Sequence, residues 1–90
     1  MKEPATILSQ MYDFLLYLVP QLSKFPRDHK FMLGDRTQVL AHDILDDLIS
    51  AYYTRMSNEK VEALRKANLK LERLRYCIRL SHDLKLFSDE

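Results

Sequence analysis

The stretch Lys24-Phe25-Pro26-Arg27-Asp28-His29-Lys30-Phe31-Met32-Leu33-Gly34-Asp35-Arg36 decides how this chain is read. It contains the only glycine and one of the three prolines, and its cations and aromatic rings are interleaved. On both sides of it apolar residues recur at helical spacing. The stretch therefore reads as a compact basic linker between long helices, in a chain with little other turn-forming material.

Upstream, Ile7, Leu8, Met11, Leu15, Leu18, Val19 and Leu22 fall on a helical stripe over about residues 5–23. Phe14, Leu16 and Tyr17 widen that stripe until little of the middle is polar, which predicts a helix that is either central in a bundle or covered on two sides. Pro20 lacks a backbone donor, and a bend near Leu16 is expected. Downstream, Gly34 suits a backbone angle costly for other residues. Asp35 with Gln38 three residues on forms a capping-box pattern for a second helix over about 35–56. Leu40, Ala41, Ile44, Leu45, Leu48, Ile49 and Tyr52 make its apolar face; Arg36, Asp43, Asp46 and Asp47 make the opposite one.

Ser57-Asn58 breaks the pattern and is expected to cap a third helix, about 58–85, with Glu59 near its positive end. On this helix Leu64, Ala67, Leu71, Leu74 and Ile78 form one stripe, and Leu69, Tyr76 and Leu80 a second, nearly opposite. A helix in a simple monomeric bundle needs one apolar stripe. A second stripe points to a packing partner, most simply another copy of the chain, with Leu69, Tyr76 and Leu80 at the interface.

Ninety residues, 47% of them apolar and 30% charged, describe one globular domain of 1–90 rather than a disordered segment. The net charge is +1, but it is unevenly spread. Residues 59–85 carry eight Lys/Arg against four acidic groups; residues 35–58 carry two against four. The single cysteine, Cys77, permits no intrachain disulfide and fits a reducing compartment. The apolar run 14–19, bracketed by Asp13 and Pro20, is too short for a signal sequence or a membrane span. The expectation is a soluble, cytoplasmic protein.

No catalytic constellation stands out. His29, His42 and His82 lie on different elements without metal-ligand spacing, and Gly34 alone makes no phosphate loop. Asp43, Asp46 and Asp47 share a face that suits a cation or, more simply, solvent. The chain reads as a non-enzyme without cofactor or metal. Its basic residues are the functional candidates. Lys66, Lys70 and Arg73 form one strip of the third helix and Arg65, Arg75 and Arg79 another, with Lys24, Arg27, Lys30 and Arg36 in the linker. Lys and Arg at this spacing can meet successive phosphates. The same residues also suit a solvated face with pairs such as Glu62–Lys66. Phe25 and Phe31 are expected to staple the linker to the helices, base stacking being the alternative.

The segments Lys24-Phe25-Pro26-Arg27, Phe31, Leu33-Gly34-Asp35-Arg36 and Ala51-Tyr52-Tyr53, with the run Leu64 to Arg75, resemble the accessory variability determinant (Avd) proteins of diversity-generating retroelements. The likeness covers about residues 7–87, and its linker motif is fairly specific. A broader relative is the four-helix-bundle family encoded as intervening-sequence proteins in ribosomal RNA genes. The chain lacks the Ile-Pro-Ala-Asn-type segment of that branch. The resemblance implies an all-α antiparallel helical bundle assembling into an oligomeric barrel, a homopentamer. It also implies an accessory subunit that binds the element's reverse transcriptase and its template RNA or cDNA, with the ten basic residues above as contacts. Members of the family usually have a fourth helix, for which this sequence shows no candidate. A purely structural interaction bundle is the competing expectation.

Overall fold

The computed structural model describes residues 4–87. These residues are helical apart from short connections, and no strand occurs among them. Helix α1 spans Pro4–Ser23, a single turn α2 spans Arg27–His29, a π-helical turn covers Lys30–Gly34, and α3 (Asp35–Tyr53) and α4 (Ser57–Asp83) follow. The three long helices match the expected boundaries to within three residues. Residues 88–90, a short acidic tail in the sequence, lie outside the described residues.

Helix α3 is the middle of the fold. It packs extensively against α4 and also against α1, whereas α1 and α4 scarcely meet. The α3–α4 seam explains the difference in closeness. The buried residues of α3 are Thr37, Ala41, Ile44 and Ala51, and those of α4 are Ala67, Leu74, Cys77 and Ser81. Six of these eight side chains are small, so the backbones approach closely along most of the seam. The two hydroxyls turn inward without penalty because Thr37 Oγ1 donates to the Leu33 carbonyl at 2.7 Å and Ser81 Oγ to the Cys77 carbonyl at 2.8 Å. Leu15, Leu18 and Leu22 of α1 complete the core with Phe25.

Several local expectations are corrected. Helix α1 is not covered on two sides: Tyr12, Leu16 and Tyr17 are exposed, since α1 flanks the fold rather than centring it. It runs through Pro20 to Ser23 without ending there. Leu16 and Pro20 are both exposed, so the carbonyl that loses its donor lies on the solvent side.

The linker is mostly helix. Only Lys24–Pro26 is irregular; Pro26 in extended geometry starts α2, its carbonyl accepting from the His29 and Lys30 amides at 2.9 and 2.8 Å. The backbone then continues into α3 without a break, so Asp35 has helical angles and caps nothing. Gly34 is right-handed (φ −61°), and a Cβ there would meet its nearest neighbours at 3.5–3.7 Å, ordinary contact distances. Neither an unusual backbone angle nor crowding requires glycine at this position. At α4 the N-cap is Met56, and Asn58 Oδ1 accepts from the Glu59 amide within the first turn rather than capping it.

Of the two linker aromatics only Phe25 is a staple. It is 4% exposed and meets Phe87 edge-on, with ring centroids 5.4 Å apart. Phe31 is 62% exposed. Phe87 reaches Phe25 because α4 ends in a Schellman turn. The Leu86 amide donates to the Ser81 carbonyl at 3.0 Å, the Lys85 amide to His82 at 2.9 Å, and Lys85 takes φ +62°.

Candidate nucleic-acid interface

Helix α4 presents its faces as its sequence pattern predicts on one side and differently on the other. Ala67, Leu74 and Cys77 face α3, with Ile78 half-buried beside them. Leu64 and Leu71 of the same stripe stay largely exposed, because α1 does not reach across to this part of α4. They line one wall of an open groove of about 430 Å³, opposite Ile7, Met11 and Phe14 of α1, with Ile44 and Leu48 as its floor. The second stripe, Leu69, Tyr76 and Leu80, is exposed throughout, Tyr76 at 65%.

The basic residues divide into four situations. Lys24, Arg27, Arg36, Arg65, Lys66, Arg73 and Arg79 are exposed and form no ion pair among the described residues. Arg75 is exposed and pairs with Glu72 at 2.9 Å, a solvent-screened contact that leaves both groups accessible. Lys70 is different: its Nζ lies 2.9 Å from Asp47 Oδ2, and both side chains are mostly covered. Asp47 Oδ2 is buried and makes no directed hydrogen bond, so the Lys70 ammonium is what balances its charge. Asp47 thus belongs to the α3–α4 seam, not to a solvated acidic face, and Lys70 is withdrawn from the basic strip. Lys30 is half-buried.

The structure brings two of the candidate cations together from distant parts of the sequence. Arg36, at the start of α3, and Arg73, midway along α4, line one groove of about 690 Å³. Phe31, Met32, Leu33, Val39 and Leu40 supply its apolar surface, and Asp35 also lines it. Nothing in the sequence announces this groove. Its shape depends on the π-helical turn, which puts Phe31 and Met32 outward, and a helical-wheel reading of separate segments does not cross that turn.

The remaining chemistry-bearing residues do not converge. His42 and His82 are exposed, Cys77 is buried, and among the described residues no three His, Cys, Asp or Glu side chains stand close enough to share a cation. No described helix is long and apolar enough to cross a membrane. Compared with models of known families, with curated proteins and with solved structures, the chain gives no match.

Proposed function

We propose that this protein is a non-catalytic accessory subunit of a diversity-generating retroelement. In this reading it self-associates through its exposed helix faces. It binds a reverse transcriptase together with template RNA or cDNA and supports mutagenic reverse transcription in the cytoplasm. The retroelement assignment rests on the Avd-like linker and third-helix residues. The observation that carries the accessory-subunit reading is the outer face of α4, where the apolar stripe Leu69, Tyr76 and Leu80 runs between exposed arginines. An apolar seam edged by cations suits a chain that both assembles and meets a polyanion.

The surface area supports assembly. The accessible surface is 6799 Å², whereas a compact monomer of this mass exposes about 5500 Å². The radius of gyration is 14.4 Å, against about 12 Å for a compact domain of this length. The excess surface exceeds the roughly 800 Å² that each partner covers in a standard interface. Assembly as a closed homopentameric barrel is the form the resemblance implies, and it repeats the arginine-edged seam around the ring.

Light scattering after size exclusion, with and without a short structured RNA at two salt concentrations, tests the reading. A closed oligomer near five copies that retains RNA only at low salt is the expected result. A monomer indifferent to RNA would overturn it. A salt-insensitive oligomer without RNA retention would favour the structural interaction bundle instead, a reading supported by the uncharged, mostly apolar lining of the α1–α4 groove.

A further inference from the structure

We propose that the groove over Phe31 is a site for an unpaired nucleotide, whose base stacks on the Phe31 ring while neighbouring phosphates meet Arg36 and Arg73. The proposal rests on the nucleic-acid reading above and specifies the form of nucleic acid bound.

Three features of the groove select this ligand. First, Phe25 and Phe31 share the linker, yet Phe25 is packed against Phe87 and Phe31 is left in solvent beside exposed Met32 and Val39. A ring with an open face is what base stacking requires, and every base offers a π-face. Second, this groove has two arginines on its walls, whereas the α1–α4 groove is lined by no charged residue. Neither arginine is engaged in an ion pair among the described residues, so both guanidinium groups are available for phosphate oxygens. Third, Asp35, which also lines the groove, offers a hydrogen-bond acceptor. That suits the exocyclic amino group of a splayed base. Bases inside a duplex are stacked on one another and cannot reach the ring. An acidic amphipathic peptide would also find cations and apolar surface here, but it has no need of a π-face, and that difference is testable.

The experiment is fluorescence anisotropy on the full chain with a labelled single-stranded RNA dodecamer of mixed sequence and the duplex of the same sequence, across a salt series. The single strand is expected to bind more tightly than the duplex. Phe31→Ala is expected to weaken it about tenfold with the salt slope unchanged. Phe31→Leu should weaken it similarly, and Phe31→Trp should retain affinity, with its indole emission quenched on binding. Arg36→Gln and Arg73→Gln should each lower the salt slope by about one. Phe31 is exposed, so these variants keep their helices, which circular dichroism verifies. Wild-type affinity in Phe31→Ala would remove the stacking site while leaving the nucleic-acid reading intact. Full retention in Phe31→Leu would assign the groove to apolar contact, as for a peptide, and overturn the proposal. Failure of the wild-type chain to bind either RNA at low salt would overturn the nucleic-acid reading and this site with it.

Discussion

Lys70 and Asp47 face each other across the α3–α4 seam, Nζ to Oδ2 at 2.9 Å, with both side chains mostly covered. The pair converts a residue of the basic strip into a structural one. Lys70→Met removes the charge that, among the described residues, balances a buried carboxylate oxygen, and is expected to cost about 2 kcal/mol. Asp47→Asn/Lys70→Met should recover part of that loss. Urea unfolding of the four chains of this double-mutant cycle measures the coupling; simple additivity would show that the pair is not energetically joined.

The same pair predicts a contrast in RNA binding. Lys70→Gln should change RNA affinity less than Arg73→Gln, because the Lys70 ammonium is already committed to Asp47. Titrations at one salt concentration compare them. A larger effect at Lys70 would mean that the ion pair opens to phosphate.

Phe25 and Phe31 offer the clearest separation of structural from surface roles. Phe25→Ala deletes a core ring and its edge contact with Phe87, at a cost of about 3–4 kcal/mol. Phe31→Ala should lie within about 0.5 kcal/mol of wild type. Equal losses in denaturant titrations would show that Phe31 is covered in solution.

Two backbone positions are open to improvement. Gly34→Ala replaces a right-handed helical glycine where a Cβ meets only ordinary contacts, and it is expected to stabilise by about 0.5–1 kcal/mol. Lys85→Gly relieves a left-handed residue in the Schellman turn and should gain about 1 kcal/mol. Each gain corresponds to a rise in Tm of a few degrees for a domain of this size. A fall in Tm for Gly34→Ala would reveal a tighter approach of Phe25 than 3.5 Å suggests.

Tyr76→Glu places a charge in the centre of the outer α4 stripe. The expected outcome is a smaller particle by light scattering with helical content retained. An unchanged particle size would place the assembly surface elsewhere.

The long helices were legible in the sequence because each carries an uninterrupted 3.6-residue pattern: Leu15, Leu18 and Leu22, then Ala41 and Ile44, then Ala67 and Leu74 all face the core. What was not legible depends on neighbours rather than on period. The width of the apolar run in α1 suggests a central helix, but only packing decides that α3 takes that place. Thr37 and Ser81 look polar in sequence and are fully buried because each bonds a carbonyl one turn back. Asp35 and Gly34 carry helix-start signals, yet the preceding residues are helical and leave nothing to start. Of the candidate site, the identities of Arg36 and Arg73 were readable and their meeting in one groove was not.

The π-helical turn at Lys30–Gly34 has a consequence for phase. Its backbone N–H groups donate to carbonyls five residues back instead of four, as from Asp35 to the Lys30 carbonyl, so the turn accommodates about one extra residue. Each residue of a regular helix advances about 100° around the axis. The segment before the turn is therefore rotated by roughly that angle relative to a continuous α-helix entering α3. The turn acts as a phase shifter: α2 and α3 point their inward faces along different lines, and deleting one residue from 30–34 would swing the Phe25 end of the molecule off the axis on which its core is built.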